Sequence, residues 1–414
     1  MRSVFSGRRL ALAVSLALCG FSASAATLLQ PSRASLDDSD SVIAGLRAER
    51  STASVTAMQL DASALAFDTP QFDIVLGPKQ SLSVLRTSAS YADDGSLVWA
   101  GSVEGRFIPG DGPTDPEDLL NTVLLVKSGN EISGTLRIEG RLHKLIPTAA
   151  GHVLVAIDES KLPPDHPAEA YNKLFIDSMS PEAPVLADGT AANKAISTIR
   201  VMVVITNAAK AKIGNITTFA NLAVSETNAG YTNSGVEINM QLAGLYTTTY
   251  VESGSFTTDL SRIRGTTDGF MDSIHSLRNT NAADVVMLIV DNGSSCGLAS
   301  AIGASATTAF AAAHYSCSTG YYSFGHEIGH LQSARHDPLN DPTTTPYSYG
   351  HGYQYPAGGW RTIMAYACSS ATCSRINYWS NPAKLRSGVP MGTTTQSHNQ
   401  RVLNNTKATI AAFR

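Results

Sequence analysis

The segment HEIGHLQSARHD at residues 326–337 restricts the fold of this chain more than any other, because it holds three histidines at fixed spacing. On an α-helix, His326 and His330 lie on one face and can direct both imidazoles at one point. Glu327 emerges about 100° around the same helix, within reach of a water at that point. His336 would lie about 240° from the shared face if the helix continued. The helix must therefore end between His330 and His336 if the third imidazole is to join the other two.

Three imidazoles arranged in this way predict one catalytic zinc ion. Three histidine ligands leave a fourth position open for water and substrate, and zinc lowers the pKa of a bound water to about 7. Glu327 then has the position of a general base. The alternatives are ordinary structural or surface histidines, a zinc-stabilised binding or toxin module, and a zinc hydrolase of non-peptide substrates such as cell-wall amides. The glutamate disfavours the non-catalytic module, because a structural metal needs no base.

The same segment resembles the signature of the metzincin zinc metalloproteases, HExxHxxGxxH, and the pair His336-Asp337 resembles the reprolysin-like branch. The resemblance implies an α/β (α+β) catalytic domain with a twisted mixed sheet and an active-site helix. It also implies one zinc ion as cofactor and protein or peptide substrates. One position departs from the signature, since Ser333 stands where the family has the glycine that leaves the helix in a left-handed conformation. A side chain in that conformation costs about 1 kcal/mol or more.

A second motif, TIMAY at residues 362–366, resembles the Met-turn of the same proteases. Met364 would pack beneath the metal, and ordinary core packing is the alternative. Tyr366 has the position of a tyrosine that touches zinc or steadies the transition state in astacin-like and serralysin-like members; a buried structural tyrosine is the alternative. Residues 322–338 and 360–382 are most similar to the bacterial peptidyl-Asp metalloendopeptidases, secreted zinc proteases that cut on the amino side of aspartate.

A preference for aspartate after the cleaved bond requires a cation in the pocket, because an unpaired carboxylate resists desolvation. The first three basic residues after the Met-turn are the candidates, because related enzymes build the pocket wall in this part of the chain: Arg375, Lys384 and Arg386. Each of them, taken alone, is more typical of a solvated surface. We favour Arg375, because it lies between a cysteine and an aromatic pair.

The remainder of the C-terminal half alternates strand and helix patterns, which indicates helices packed on a sheet. The run IRVMVVIT at residues 199–206 predicts a buried strand. Helices are predicted at residues 216–228 and 259–277. Residues 307–316 predict an edge strand that accepts an extended substrate by strand addition, as in the metzincins, with a buried strand as the alternative. His314 on that strand is predicted to be structural.

The N-terminal half predicts export and a separate unit. Residues 1–25 have early arginines, an apolar run too short to span a membrane, and a small-residue end, which together are typical of a secretory signal. Residues 26–194 show alternating strand patterns and are predicted to be a β-rich propeptide that ends in a cleavable linker at residues 178–197. Residues 195–414 are the predicted catalytic domain of a secreted protein with no membrane partner after signal removal.

The predicted propeptide contains no cysteine, the residue with which many metzincin propeptides silence zinc. Its histidines His143, His152 and His166 are scattered and show no catalytic spacing. Inhibition must therefore come from a carboxylate, a histidine or steric cover. Residues 26–194 carry 13 Lys and Arg against 23 Asp and Glu, whereas residues 195–414 carry 14 against 11. This balance allows the two halves to dock, or to be solvated separately, and does not favour a nucleic-acid partner.

The mature chain would contain an even number of cysteines, and an oxidising compartment makes disulfides the expected state. The sequence-local pairings are predicted, namely Cys296 with Cys317 and Cys368 with Cys373, although the sequence alone leaves the connectivity open. A zinc–thiolate site is the alternative, which the lack of closely paired spacing disfavours.

Overall fold

The computed structural model describes residues 25–104, 118–167, 170–171 and 195–414. These residues form an N-terminal unit that ends at residue 171 and a C-terminal unit that begins at residue 195. Residues 1–24 of the predicted signal and most of the predicted linker at 178–197 lie outside the described residues. None of the described helices combines the length and apolar character needed to cross a membrane.

The N-terminal unit is a closed β-barrel, in agreement with the β-rich prediction. Its described strands are β1 (Thr27–Pro31), β2 (Thr52–Leu60), β3 (Gln71–Gly77), β4 (Gln80–Tyr91), β5 (Leu97–Val103), β6 (Thr122–Ser128), β7 (Glu131–Ile138), β8 (Arg141–Thr148) and β9 (Gly151–Ile157). They pair in the order β1-β2-β9-β8-β7-β6-β5-β4-β3. Parallel pairing of β1 with β3 closes the barrel. Helix α1 (Ser41–Ala48) connects β1 to β2 and begins at an Asp40 cap that accepts a bond from the Val42 N–H.

The barrel encloses an apolar core of its own, because alternate residues along each strand point inward. Phe72 and Trp99 are fully buried, with ring centroids 4.6 Å apart. The Trp99 indole donates a hydrogen bond to the Thr69 carbonyl at 3.1 Å, so its polar atom is paired inside the core. A Cβ at Gly101 would lie 2.5 Å from the Trp99 ring, so glycine leaves the space that the indole fills.

The C-terminal unit is a mixed α/β fold, as predicted. Its main strands are β10 (Ser197–Thr206), β11 (Ile238–Thr248), β12 (Val285–Val290), β13 (Gly297–Ala299) and β14 (Phe310–His314). Its helices are α2 (Asn207–Ile213), α3 (Ile216–Ser234), α4 (Phe256–Arg264), α5 (Ser273–Thr280), α6 (Tyr315–Ser318), α7 (Ser323–Leu331) and α8 (Asn399–Ile410). The sheet has the order β11-β10-β12-β14-β13, in which only β13 is antiparallel to its neighbour. The continuous burial of β10 and β12 follows from helices on both faces of this sheet.

Five short strands follow α7 and form the region around the Met-turn motif. They are β15 (Gln354–Tyr355), β16 (Trp360–Arg361), β17 (Ser374–Arg375), β18 (Asn381–Arg386) and β19 (Val389–Met391). Strands β16 and β17 are parallel, and their register places Arg361 opposite Arg375. Strands β18 and β19 form a separate hairpin.

Two predicted elements are wrong. The helix predicted at 259–277 is interrupted between α4 and α5, where Gly269 has a φ of 82° and its N–H donates to the Asp272 carboxylate at 3.1 Å. This local bond competes with helical backbone pairing. The strand predicted at 307–316 is β14, which lies between β12 and β13 and has no free edge. The sheet ends instead at the three-residue strand β13.

Both predicted disulfides are present. Cys296 and Cys317 have Cα atoms 5.4 Å apart, and Cys368 and Cys373 have Cα atoms 5.7 Å apart. The first bond joins the residue before β13 to α6, so the edge of the sheet is tied to the segment that leads into α7.

The two units meet through hydrogen bonds between the barrel and the elements around α7. The Glu226 carboxylate on α3 accepts bonds from the Thr135 hydroxyl at 2.6 Å and from the Gly320 N–H at 2.8 Å. Arg137 of the barrel donates to the Gly320 carbonyl at 2.9 Å. Burial raises the pKa of Glu226 to about 7. This polar joint holds the barrel beside the chain that begins α7.

Candidate metal centre

Helix α7 ends with a sharp change of direction at Ser333. Ser333 has a φ of 74°, in the left-handed region that the sequence signature assigns to glycine. The Ser333 N–H donates to the His330 carbonyl, and the Ala334 N–H donates to the Gly329 carbonyl, both at 2.9 Å. This pair of bonds is the Schellman motif that closes a helix C-terminus. The chain therefore leaves the helix axis where the histidine spacing requires it.

The turn brings the three histidines of the motif together, and a fourth joins them. The Nε2 atoms of His326, His330 and His336 lie 3.1–3.2 Å from one another. The Nε2 of His166 lies 3.0, 3.2 and 2.9 Å from these atoms, in the same order. All four rings are buried. His166 follows the barrel in sequence and was not predicted to be a site residue.

The chemistry of the four imidazoles fits a tetrahedral metal ion. Three rings place Nδ1 near a backbone carbonyl: His326 is 2.9 Å from Ile363, His330 is 2.8 Å from Ala334, and His166 is 3.0 Å from Gly297. The ring proton therefore resides on Nδ1, and the Nε2 lone pairs face one another. Burial lowers the pKa of all four rings, that of His166 to about 4, so the imidazoles are neutral. Four lone pairs at this separation repel unless a cation lies between them. Zinc–nitrogen bonds of about 2.0–2.1 Å require nitrogen separations of roughly 3.3–3.4 Å, close to those observed.

Two tyrosines cover this histidine cluster. The Tyr171 ring lies 4.1 Å from the His336 ring, and its hydroxyl donates to Asp341 at 2.6 Å. The Tyr366 ring also packs against His336, with ring centroids 4.0 Å apart. The Tyr366 backbone N–H donates to the Asp337 carboxylate at 3.0 Å. Burial raises the pKa of the Tyr366 hydroxyl. The structure thus places Tyr366 against a candidate metal ligand, and its catalytic role stays a prediction.

Met364 lies directly beneath α7. A Cβ added to Gly329 would stand 3.0 Å from the Met364 sulfur and 2.7 Å from the Trp379 ring, so the helix rests on these two side chains. The Met-turn also supplies the Ile363 carbonyl that orients His326. The motif therefore supports the histidine cluster through packing and through one hydrogen bond.

Glu327 lies between the histidine cluster and the sheet edge. Its side chain is buried, and its Oε1 atom is 3.5 Å from Nδ1 of His166. A Cβ added to Gly297 of β13 would stand 2.4 Å from the same Oε1 atom. The Oε2 atom has no hydrogen-bond partner among the described residues. Burial, and then the nearby charge of Asp165, raise the pKa of Glu327 well above its usual range. A buried carboxylate with a raised pKa therefore lies beside the candidate metal position.

An arginine pair faces a single carboxylate next to the histidine cluster. Arg375 donates to Oδ2 of Asp165 at 2.7 Å, and Arg361 lies 3.8 Å from the same atom. Both guanidinium groups are buried and lie over the Tyr321 ring, at 4.2 Å and 5.5 Å. Burial alone would raise the pKa of Asp165, but Arg375 and Arg361 together lower it below the usual range. The pair therefore forms a cationic pocket that holds a carboxylate in its charged form.

The structure does not bring Lys384 and Arg386 to this pocket. Both lie on β18, where Lys384 is half-buried and Arg386 lies 5.8 Å over the Trp360 ring. Neighbouring residues of a strand point to opposite faces, so Trp360 and Arg361 face different sides of β16. Arg361 was absent from the sequence shortlist, because its pairing with Arg375 depends on the register of two very short strands.

The backbone on either side of Asp165 follows the edge strand. The Pro164 carbonyl accepts a hydrogen bond from the Cys296 N–H at 2.8 Å, and the Asp165 carbonyl accepts one from the Gly297 N–H at 3.0 Å. Residues 163–167 therefore lie between the start of β13 and the histidine cluster. We call them the cleft segment.

A second group of possible ligands lies elsewhere in the described chain and includes His314. Glu49 and Asp291 are its other members, and Glu49 lies 3.7 Å from the His314 ring. Asp291 pairs with Lys212 at 2.7 Å. Burial, and then the charges of Lys144 and Lys212, lower the pKa of His314 to about 3. The lysines already balance the carboxylates, so this group agrees with a structural His314.

Comparisons with known proteins identify relatives along most of the chain. Residues 195–380 match Reprolysin_5, described as metallo-peptidase family M12. The chain is 50% identical over 410 residues to a peptidyl-Asp metalloendopeptidase of Stenotrophomonas maltophilia (strain R551-3), covering 95% of each. It is 49% identical over 366 residues to a protein of the same name from Xanthomonas campestris pv. campestris, covering 88% of this chain and 87% of the relative. A Pseudomonas fragi protein of that name is 51% identical over 191 residues, its full length and 46% of this chain.

Proposed function

This chain belongs to the family of the peptidyl-Asp metalloendopeptidases and is a metalloendopeptidase, and from that premise we propose that it is a secreted zymogen whose C-terminal unit cleaves peptide bonds before aspartate. The proposed metal is one zinc ion, held in the active enzyme by His326, His330 and His336. The observation that carries the proposal is the convergence of their three Nε2 atoms, 3.1–3.2 Å apart, beside a buried glutamate.

Glu327 is the proposed general base. When bound, zinc supplies a Lewis acid that polarises the scissile carbonyl and makes a water more acidic. Glu327 takes the proton of the attacking water and delivers it to the leaving nitrogen. Its burial supports this role, because a carboxylate with a raised pKa and an unpaired oxygen accepts a proton readily. Tyr366, packed against His336, is proposed to steady the carbonyl oxygen as charge develops there.

The cationic pocket of Arg375 and Arg361 is the proposed reader of aspartate. Two buried guanidinium groups beside the metal position require an anionic partner, since buried charges are costly when unpaired. Within the described chain that partner is an aspartate carboxylate, which supports the proposal that the pocket accepts a side chain of this size. The substrate would add to β13, whose edge supplies backbone hydrogen-bonding groups.

We assign residues 1–25 to the signal, 26–194 to the propeptide and 195–414 to the catalytic domain. The two disulfides support export, because such bonds persist in oxidising compartments. The zymogen assignment rests on the cleft segment, which lies between β13 and the histidine cluster and follows the barrel in sequence. Substrate can enter only after that segment leaves.

Peptide mapping of a protein digest tests the proposed function. The full chain is activated, incubated with casein with and without a metal chelator, and the new termini are sequenced by mass spectrometry. We expect products that begin with aspartate, only without chelator. Glu327→Gln should keep stoichiometric zinc and lose about 10²–10⁴-fold in kcat. Cleavage that persists in chelator, or that proceeds at the parent rate in the Glu327→Gln chain, would refute the assignment.

A further inference from the structure

Asp165 and His166 are adjacent in sequence and occupy two parts of the proposed active site at once. The Asp165 carboxylate lies 2.7 Å from Arg375, and the His166 Nε2 lies 2.9–3.2 Å from the three motif histidines. We propose that this pair is a pseudosubstrate bound in reverse: His166 is the fourth metal ligand of the latent chain, and Asp165 fills the aspartate pocket. The inference rests on the proposed function and specifies how its site is regulated.

The order of the two residues shows that the segment runs opposite to a substrate. An enzyme that cuts on the amino side of aspartate must hold the preceding carbonyl at the metal, so the group at the metal comes before the aspartate. In this chain the group at the metal, His166, comes after Asp165. The cleft segment therefore fills both the metal position and the aspartate pocket, but its polypeptide direction is opposite to that of a substrate.

The backbone hydrogen bonds lead to the same conclusion. Pro164 bonds to Cys296 and Asp165 bonds to Gly297, so residue numbers rise together and the segment runs parallel to β13. The Pro164 and Asp165 carbonyl oxygens accept bonds from the N–H groups of Cys296 and Gly297 at the start of the edge strand, so both are already paired there. Neither peptide bond of Asp165 presents its carbonyl for attack. The pair can fill the site without being cleaved there.

The sequence of the cleft segment favours a rigid backbone that can still dissociate from the site. Prolines at 163, 164 and 167 fix the backbone on both sides, which lowers the entropy lost when the segment docks. Asp165 uses only Oδ2 toward the arginines, and its Oδ1 has no partner among the described residues. A substrate aspartate that used both oxygens would bind the same arginines better, because paired charge-assisted bonds are the stronger arrangement.

Cobalt spectroscopy of the intact chain tests the fourth ligand without measuring activity. The Glu327→Gln background prevents self-cleavage, and Co²⁺ replaces zinc. A site of four imidazoles should give a tetrahedral visible spectrum that is unchanged between pH 6 and 9 and on addition of acetohydroxamate. In the same background, His166→Ala should give a spectrum that changes under both treatments, and His143→Ala, on the barrel surface, should not. A pH-dependent spectrum that responds to acetohydroxamate in the parent chain overturns the proposal, even if His166→Ala fails to fold.

Peptide binding tests the role of Asp165 in the same background. A fluorescent peptide with a central aspartate is titrated into the intact chain and followed by anisotropy. We expect Asp165→Ala to bind at least tenfold more tightly than the parent, because the pocket is vacated. The control Asp93→Ala removes an exposed barrel carboxylate and should bind as the parent does. Equal affinity in the Asp165→Ala and parent chains overturns the pseudosubstrate role.

The direction in which the cleft segment binds is tested by a separate experiment, in the chain that retains Glu327. Mass mapping before and after activation should find the Pro164–Asp165 bond uncut while the propeptide is bound. Cleavage of that bond in the intact chain means that the segment is a substrate, which overturns the reversal. The proposed function is judged separately, on activated enzyme: if that enzyme cuts before aspartate while the cobalt site carries water, only the present inference fails.

Discussion

Replacement of Arg375 by methionine tests the aspartate pocket most directly. The Arg375 guanidinium is buried and donates to a carboxylate at 2.7 Å, whereas Arg361 stands 3.8 Å from the same oxygen. Removal of one partner of a buried, hydrogen-bonded charge pair costs about 2–5 kcal/mol. Because Arg361 remains as a weaker partner, we expect the lower part of this range, about 2–3 kcal/mol. That loss corresponds to about 30- to 150-fold in kcat/KM.

The assay compares two peptides that differ only after the scissile bond, where one has aspartate and the other asparagine. With activated Arg375→Met enzyme, kcat/KM for the aspartate peptide should fall by the amount above, while that for the asparagine peptide changes little. Arg375 also donates to the Tyr321 and Ala365 carbonyls at 3.2 and 3.4 Å. Loss of these two bonds lowers kcat/KM by the same factor for both peptides. The ratio of the two rates removes that contribution.

Arg386→Met is the matched control, because Arg386 lies over Trp360 on the other side of β16 from the pocket. Its aspartate preference should equal that of the parent enzyme. The reasoning is refuted if Arg375→Met lowers both rates equally, or if Arg386→Met reduces the preference as strongly.

Three further changes probe how the site is built. Ser333→Gly should raise the free energy of unfolding by about 1 kcal/mol, because glycine adopts the left-handed turn without strain; urea denaturation with an unchanged m-value measures it, and a lower midpoint would contradict the strain. Gly297→Ala should preserve folding and metal content but lower kcat about 100-fold, because the new Cβ displaces the end of Glu327; unchanged kcat would place the glutamate outside catalysis. Replacing Cys296 and Cys317 together by serine should cost about 3 kcal/mol of stability in calorimetry, and no loss would show that the bond does not hold the sheet edge.

The family and the three motif histidines were predictable because their signal is local. The spacing of His326, His330 and His336 fixes both a helix and its end, and the turn at Ser333 is where that spacing requires it. The similarity to the peptidyl-Asp metalloendopeptidases, predicted from two short segments, is confirmed by relatives that cover 95% of the chain. The buried strand predicted at 199–206 was also recognisable, because both faces of a central parallel strand are apolar.

The missed features depend on contacts between distant parts of the chain. His166 is separated from His326 by 160 residues and has no spacing that marks it as a member of the histidine cluster. Arg361 joins Arg375 only through the register of two-residue strands. The true sheet edge, β13, is too short to give an alternating pattern, so the longer β14 was mistaken for it. Each of these errors concerns pairing, which a single sequence specifies only through the complete fold.

The hydrogen-bonded joint between the barrel and the elements around α7 also has a consequence for the proposed activation, in which the barrel would depart. Thr135, Arg137, Glu226 and Gly320 contribute polar groups to it, and water can replace each lost bond once the surfaces separate. Glu226 in particular would become hydrated and would ionise more easily than it does inside the joint. An enzyme freed in this way would expose a polar surface around its cleft and would resist aggregation after activation.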